Sequence, residues 1–350
     1  MKRLLKHALQ IVPLLLAVGL LLLVLRSADL GRSVALVRSL GWRIALLPLP
    51  ALSATLLETL AWWLAFGRLG PRPLFTSLFG VRLVGEAVLI AMPSGAVVAE
   101  SLQPYLLKRR CRVPFDLGIV AGVARKFFVI GSHGLFLALS TALAWPALVH
   151  TARGLPLPAG LPWLLLATAA GLALAAIGTA AVGVHGRVAD RLRRGLDRLG
   201  GRWMGSWLER NALRFQSTDD HLASFFRGRR GGLLVPLVLT TLGWLMRAIE
   251  TLLFLALLGV AMPLTTAMVM EAALIFVRSM AVPVPAGLGV QDFGYIASLK
   301  ALGVQDAVTV GAAFVLLKRG RELLSVLVGF TVFTLGRQRA ERSLVSATPP

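Results

Sequence analysis

The chain has 350 residues, 57% of them hydrophobic, a formal net charge of +21 and a mean hydropathy of +0.77. Such apolar content excludes an ordinary soluble domain and supplies enough length for several membrane spans. The basic balance does not argue for nucleic acid, because Lys and Arg gather between the apolar segments, the pattern that holds basic loops in the cytoplasm. The single cysteine, Cys111, cannot close an intramolecular disulfide. The expectation is an all-α polytopic protein of the bacterial cytoplasmic (inner) membrane.

In chain order, Lys2, Arg3 and Lys6 precede an apolar run, Leu9 to Leu25, longer than a signal-peptide core and without a cleavage site. It reads as a retained first span with its N-terminus inside. Leu30 to Leu40 alternates apolar and basic residues as an amphipathic interfacial helix would. The second span, Ile44 to Phe66, carries Glu58. Phe75 to Met92 and Ala96 to Leu107 flank a break at Pro93-Ser94-Gly95 and run into Lys108-Arg109-Arg110-Cys111-Arg112. A re-entrant hairpin over 75–107 keeps that basic cluster inside, since broken backbone at membrane depth must be buried or line a cavity.

Leu117 to Leu148, with Arg125 and Lys126, leads outward, and Pro162 to Val184 returns. The Arg-rich stretch from His185 to Gly232 is expected to lie in the cytoplasm against anionic lipid headgroups. Leu233 to Val260 carries Arg247 and Glu250. A second broken element over 264–302 contains Pro283-Val-Pro-Ala-Gly-Leu-Gly-Val-Gln-Asp292, and Val308 to Leu335 leads to a basic tail. The segments are thus 1–43, a first repeat at 44–148, a connecting span and loop at 149–232, a second repeat at 233–335, and a tail at 336–350.

The repeats align without gaps at an offset of 192: Pro285 falls on Pro93, Gly287 on Gly95, Asp292 on Glu100, Lys300 on Lys108, Glu250 on Glu58 and Lys318 on Lys126. Apolar matches are cheap in a membrane protein; these polar, Gly and Pro matches are not. The Glu58 helix is the second span and its Glu250 copy the fifth, an odd step of three, so the copies are inverted. About six transmembrane helices plus two re-entrant hairpins result, with the hairpins entering from opposite faces toward one central site.

Charges within apolar stretches are Glu58, Arg82, Glu86, Arg125, Lys126, Arg247, Glu250, Glu271, Arg278, Lys318, Arg319, Arg321 and Glu322. Each costs roughly 2.5 to 3.5 kcal/mol at the bilayer centre, so so many imply a polar interior. From these and the tips, the candidate substrate-binding set is Glu58, Glu86, Pro93, Gly95, Glu100, Arg125, Lys126, Arg247, Glu250, Arg278, Pro285, Gly287, Gly289, Asp292, Lys318 and Arg319. Half-helices beginning after each tip would present unsatisfied N–H groups to an anion, with Lys126 and Lys318 closing on it. Alternatively, these charges are interhelical salt bridges, Arg247 pairs with Glu250 along its own helix, and the lysines neutralise Glu100 and Asp292, which cap the half-helices. No catalytic or metal-ligand set is expected: Gly287-Leu-Gly289 lacks the third glycine of a dinucleotide loop, and His7, His133, His150, His185 and His221 are scattered.

Pro285-Ala286-Gly287-Leu288-Gly289-Val290-Gln291-Asp292 resembles the Pro-x-Gly-Gly-Leu-Gly-x-x-Glu run of the flippase-like family built on the transmembrane region of lysylphosphatidylglycerol synthases. Gly85-Glu86-Ala87 through Pro93-Ser94-Gly95 to Glu100 matches in the first half, and the likeness covers Leu9 to Leu335. Ala286 and Asp292 depart from the pattern. The resemblance implies movement of a lipid or lipid-linked headgroup; the half-helix starts and the two lysines suit an anionic one, and no cofactor is expected. With only a short tail after Leu335, it does not imply aminoacyl transfer. The competing expectation is a non-transporting membrane subunit for envelope-lipid (hopanoid or aminoacyl-lipid) biosynthesis, whose basic loop docks an enzyme partner. A homo-oligomer fits either.

Overall fold

The computed structural model describes residues 29–92, 94–146, 161–185, 212–228, 231–280 and 287–345. The expected first span, most of the basic loop, and the tip residues Pro93 and Pro285 lie outside them. The fold is all-α: eleven helices and no strand among the described residues.

Helix α1 (Leu30–Ser39) is capped by Asp29, whose carboxylate accepts from the Arg32 N–H at 2.9 Å. A 3-10 turn (Gly41–Leu46) leads into α2 (Pro48–Phe66), which starts on a proline that has no N–H to leave unsatisfied. Next come α3 (Phe75–Ala91) and α4 (Gly95–Cys111). The latter extends past the expected end at Leu107, because Lys108, Arg109 and Arg110 in its last turn complement the negative helix end. Helices α5 (Phe115–Leu143), α6 (Leu161–His185) and α7 (Ala212–Arg227) complete the first half. The second half is α8 (Gly231–Leu257), α9 (Leu264–Met280), α10 (Val290–Ala301) and α11 (Ala307–Val345).

Among the described residues four segments are long and apolar enough to cross a membrane: Gly41–Phe66, Phe115–Leu143, Pro162–His185 and Gly231–Leu257. Helix α11 is longer still but places Lys318, Arg319, Arg321 and Glu322 within five residues.

Shifted by 192, α2 to α5 fall on α8 to α11, and the packing shows how the copies meet. A Cβ on Gly232 would touch Arg68, and one on Gly243 would lie 3.5 Å from the Ala54 carbonyl. The end of α2 therefore meets the start of α8, and the equivalent helices run antiparallel. Helices α3 and α11 are also antiparallel: Gly80 faces Val332, and a Cβ on Gly329 would be 2.6 Å from the Leu83 carbonyl and 2.5 Å from the Ala87 side chain. Small residues here let the backbones approach closely, which is what holds helices together where lipid tails are as apolar as any side chain. Helix α5 packs on α9 and α11 on α3, so each repeat clasps the other. Helices α6 and α7 cover α5, and α1 covers α11.

Candidate functional site

Charged side chains from both repeats form one continuous line of ion pairs. Arg247 (α8) lies 2.9 Å from Glu58 (α2), and Glu58 also pairs with Arg82 (α3). Arg82 reaches Glu86 one turn on, at 3.8 Å. Glu86 lies 4.0 Å from Arg321 (α11), whose Nε donates to Glu250 (α8) at 2.9 Å. Lys318 joins Glu250 at 3.3 Å to Glu271 (α9) at 3.4 Å. A branch runs from Arg321 to Glu322, then through Arg319 to Asp292 (α10) at 2.6 Å. Thus α2, α3, α8, α9, α10 and α11 are tied together.

Hydroxyl groups finish the carboxylates. Thr251 and the Tyr295 phenol donate to Glu271 at 2.5 and 2.7 Å, and Thr55 donates to Glu86 at 3.3 Å. Glu271 and Glu250 are each only 1% exposed. The Lys318 ammonium is also ringed by Phe254, Tyr295 and Phe314, 5.4 to 5.6 Å from their centroids. Charges this deep require such full pairing, because one left alone costs several kcal/mol.

A second, smaller group flanks this line. Glu100 (α4) pairs with Arg125 at 2.5 Å and Lys126 at 3.0 Å, both on α5. Arg125 and Arg82 line a small cavity with Glu58, Trp62, Phe128 and Thr240, roomy enough for about one water. The Nε groups of Arg82 and Arg125 are buried without a partner. Arg247 Nε, on the far side of Glu58, is likewise without a partner among the described residues, but of the three arginines only Arg82 and Arg125 line the cavity.

The structure thus brings Glu58, Glu86, Arg247, Glu250, Asp292, Lys318 and Arg319 into one line, and Glu100, Arg125 and Lys126 into the adjoining trio. Arg247 turns away from Glu250, toward Glu58 on the other repeat. Lys318 pairs with Glu250 and Glu271 rather than with Asp292, which accepts from its own helix start, the Gly289 N–H, at 2.9 Å. That second half-helix start is therefore occupied by its own carboxylate. Gly95, Gly287 and Gly289 stand at the turns where α4 and α10 begin. Pro93 and Pro285, and the side chain of Arg278, fall outside the described residues.

The structure adds to the candidate set Arg82, Glu271, Arg321 and Glu322, and also Tyr295, whose hydroxyl reaches inward. The first four were visible as intramembrane charges; Tyr295 was visible as one of only two tyrosines in the chain.

Outside the interior, Ser217 on α7 donates to Asp116 at 2.8 Å, and His221 Nδ1 lies 3.6 Å from the same carboxylate and 3.3 Å from the serine oxygen. The serine proton is committed to Asp116, so this trio fastens α7 to α5 and does not present an activated nucleophile. Among the described residues no three His, Cys, Asp or Glu side chains come together as a metal site.

Residues 10–329 match the family described as the lysylphosphatidylglycerol synthase TM region. No curated protein and no solved structure matches the chain.

Proposed function

Because the chain belongs to the family of the lysylphosphatidylglycerol synthase TM region, a membrane family tied to lipid handling, we propose that it moves a lipid headgroup across the membrane along its buried line of ion pairs. The carrying observation is the seam between the repeats: Arg247 to Glu58 and Arg321 to Glu86 are both pairs between one copy and the other. A merely anchoring bundle has no need of such pairs, since well-packed apolar residues in their place are often as stable or more so.

In this reading the headgroup phosphate replaces a carboxylate partner at a guanidinium, so that each cation keeps a counter-charge while the repeats rock. The unpartnered Nε groups of Arg82 and Arg125 receive its oxygens first. Acyl tails stay in the bilayer, and no covalent bond is made or broken. The protein would sit in the bacterial cytoplasmic membrane with its two broken elements entering from opposite faces.

A second reading, a non-transporting membrane subunit that holds an envelope-lipid enzyme against the bilayer, is favoured by one observation. Among the described residues, the charged interior is filled by its own ion pairs, and the cavity beside Arg82 admits no more than about one water.

Reconstitution into liposomes with a panel of headgroup-labelled anionic, zwitterionic and cationic lipids tests the choice. Movement of one class above the protein-free rate, slowed in Glu86→Gln, supports transport. Folded protein that moves none of the panel transfers the preference to the subunit reading.

Orientation is checked by thiol labelling with an impermeant reagent in intact cells. Burial pushes the Cys111 thiol up to about 11, so native Cys111 reacts slowly at neutral pH and faster as pH rises toward that value. A cysteine placed at Ala261 in a Cys111→Ser background should label from outside, and Cys111 only after permeabilisation. Labelling of Cys111 in intact cells sinks the proposed orientation.

A further inference from the structure

The geometry points to a second lipid site, separate from the interior line: a cleft that takes an anionic phospholipid, with its phosphate held by Arg109 and Arg110. The cleft has a volume of about 460 Å³ and opens between the start of α3, the end of α4 and the last turns of α11. Its walls are Thr76 and Ser77 on one side, Arg109 and Arg110 on another, and Val332 and Leu335 as an apolar floor. The size suits a headgroup with its glycerol, since small-molecule pockets run from roughly 300 to 1,000 Å³.

Charge separates these two arginines from those of the interior. Arg82, Arg125, Arg247, Arg319 and Arg321 each face a carboxylate. Among the described residues neither Arg109 nor Arg110 has one: Arg109 donates to the Tyr105 hydroxyl at 2.9 Å, and Arg110 Nη2 donates to the Val332 and Phe333 carbonyls at 3.2 and 2.8 Å. Those carbonyl bonds, and the Phe333 ring 5.6 Å away, fix the Arg110 guanidinium in place before any ligand arrives. Among the described residues no hydrogen bond or ion pair engages its Nε or Nη1. Gly336 is what permits this pose, because a Cβ there would lie 2.6 Å from Nη2 and 2.8 Å from Cζ of Arg110.

Two guanidiniums with adjacent hydroxyls match a phosphodiester, which accepts paired N–H donors in one plane. The apolar floor decides between a lipid and a free phosphate. Val332 and Leu335 continue a face of α11 on which Leu324 and Val328 are exposed at helical spacing, so an acyl chain leaving the cleft has a hydrophobic path to follow. An inorganic phosphate would leave that floor unused. The cleft also joins the last turn of the first broken element to the last helix of the second repeat. A bound lipid would bridge the two repeats there, whichever role the interior plays.

The test uses full-length protein in detergent, titrated with short-chain phosphatidylglycerol, short-chain phosphatidylcholine or inorganic phosphate, with bound lipids counted by native mass spectrometry. Wild type is expected to retain the anionic lipid at least tenfold more tightly than the zwitterionic one. Arg109→Ala and Ser77→Phe should each lose one bound anionic lipid, whereas Arg43→Ala, an exposed basic residue elsewhere, should lose none. Both test positions are exposed or half-exposed, and unchanged thermal melting of the lipid-free variants verifies their fold. Retention of the full lipid count in both variants overturns the site. Displacement of the lipid by millimolar inorganic phosphate, without dependence on the acyl chains, overturns the lipid assignment.

Discussion

Lys126 and Lys318 occupy the same place in the two repeats, yet their surroundings differ. The Lys126 side chain is 45% exposed and shares Glu100 with Arg125, whereas Lys318 is 5% exposed, bonded to Glu250 and Glu271 and enclosed by three rings. The difference comes from their neighbours. At the position where α9 supplies Glu271, the first repeat has Phe79, and where α10 supplies Tyr295, it has Gln103. Equivalent backbones therefore carry a locked cation in one half and an adjustable one in the other. What repeats is the path of the chain; the chemistry along it is asymmetric.

The largest expected effect follows from the locked half. Lys318→Ala leaves Glu250 and Glu271 buried beside one fewer cation, which costs on the order of 3 to 5 kcal/mol when one partner of a buried pair is removed. Folded, monodisperse protein in detergent should fall sharply. Recovery of wild-type amounts and melting temperature would mean that Lys318 is not the lock of the second repeat.

The two turns give the next contrast. Gly95 is required for space, since a Cβ would fall 2.4 Å from the Leu89 carbonyl and 2.7 Å from that of Val88. Gly287 is required for conformation: its φ is +62°, and the nearest atoms to a Cβ are 3.4 Å away on Gln291. Gly95→Ala should thus cost about 1 to 3 kcal/mol through overpacking, and Gly287→Ala about 1 kcal/mol through left-handed strain. Asn tolerates that conformation, so Gly287→Asn should recover much of the loss while Gly95→Asn recovers none. Thermal melting of the four variants checks this; a rescue at Gly95 would show that the two tips are alike after all.

These particulars also show how far the sequence could be read. Proline and glycine punctuation located the breaks before α4 and α10, and hydropathy located most helices, because both act within a few residues. Partner choice did not follow. Arg247 faces Glu58 across the antiparallel contact of α2 with α8, where Gly243 leaves room for the Glu58 side chain, and nothing within one helix encodes that crossing. Glu271 and Tyr295 meet only when α9 and α10 pack together. Arg321, which with Arg247 joins the charges of the two copies, is one of several intramembrane charges in the sequence, and only the crossing of α11 over α3 and α8 brings it to Glu86 and Glu250.

The smallest stability effect belongs to the adjustable half and bears most directly on function. Lys126 is nearly half exposed, and its carboxylate keeps Arg125 as a second cation, so Lys126→Ala should cost less than about 1 kcal/mol. Its removal nonetheless takes one of two cations from the trio beside the Arg82 cavity, where the proposed path begins. Lipid movement per folded molecule should therefore drop several-fold, with Lys126→Arg restoring most of it and melting unchanged in both. The matching change at Arg125 separates charge from position: Arg125→Lys keeps the charge but removes the buried Nε donor, and should slow movement where Lys126→Arg does not. Equal rates for wild type, Lys126→Ala and Arg125→Lys would remove this trio from the path and leave the first repeat, like the second, a structural lock.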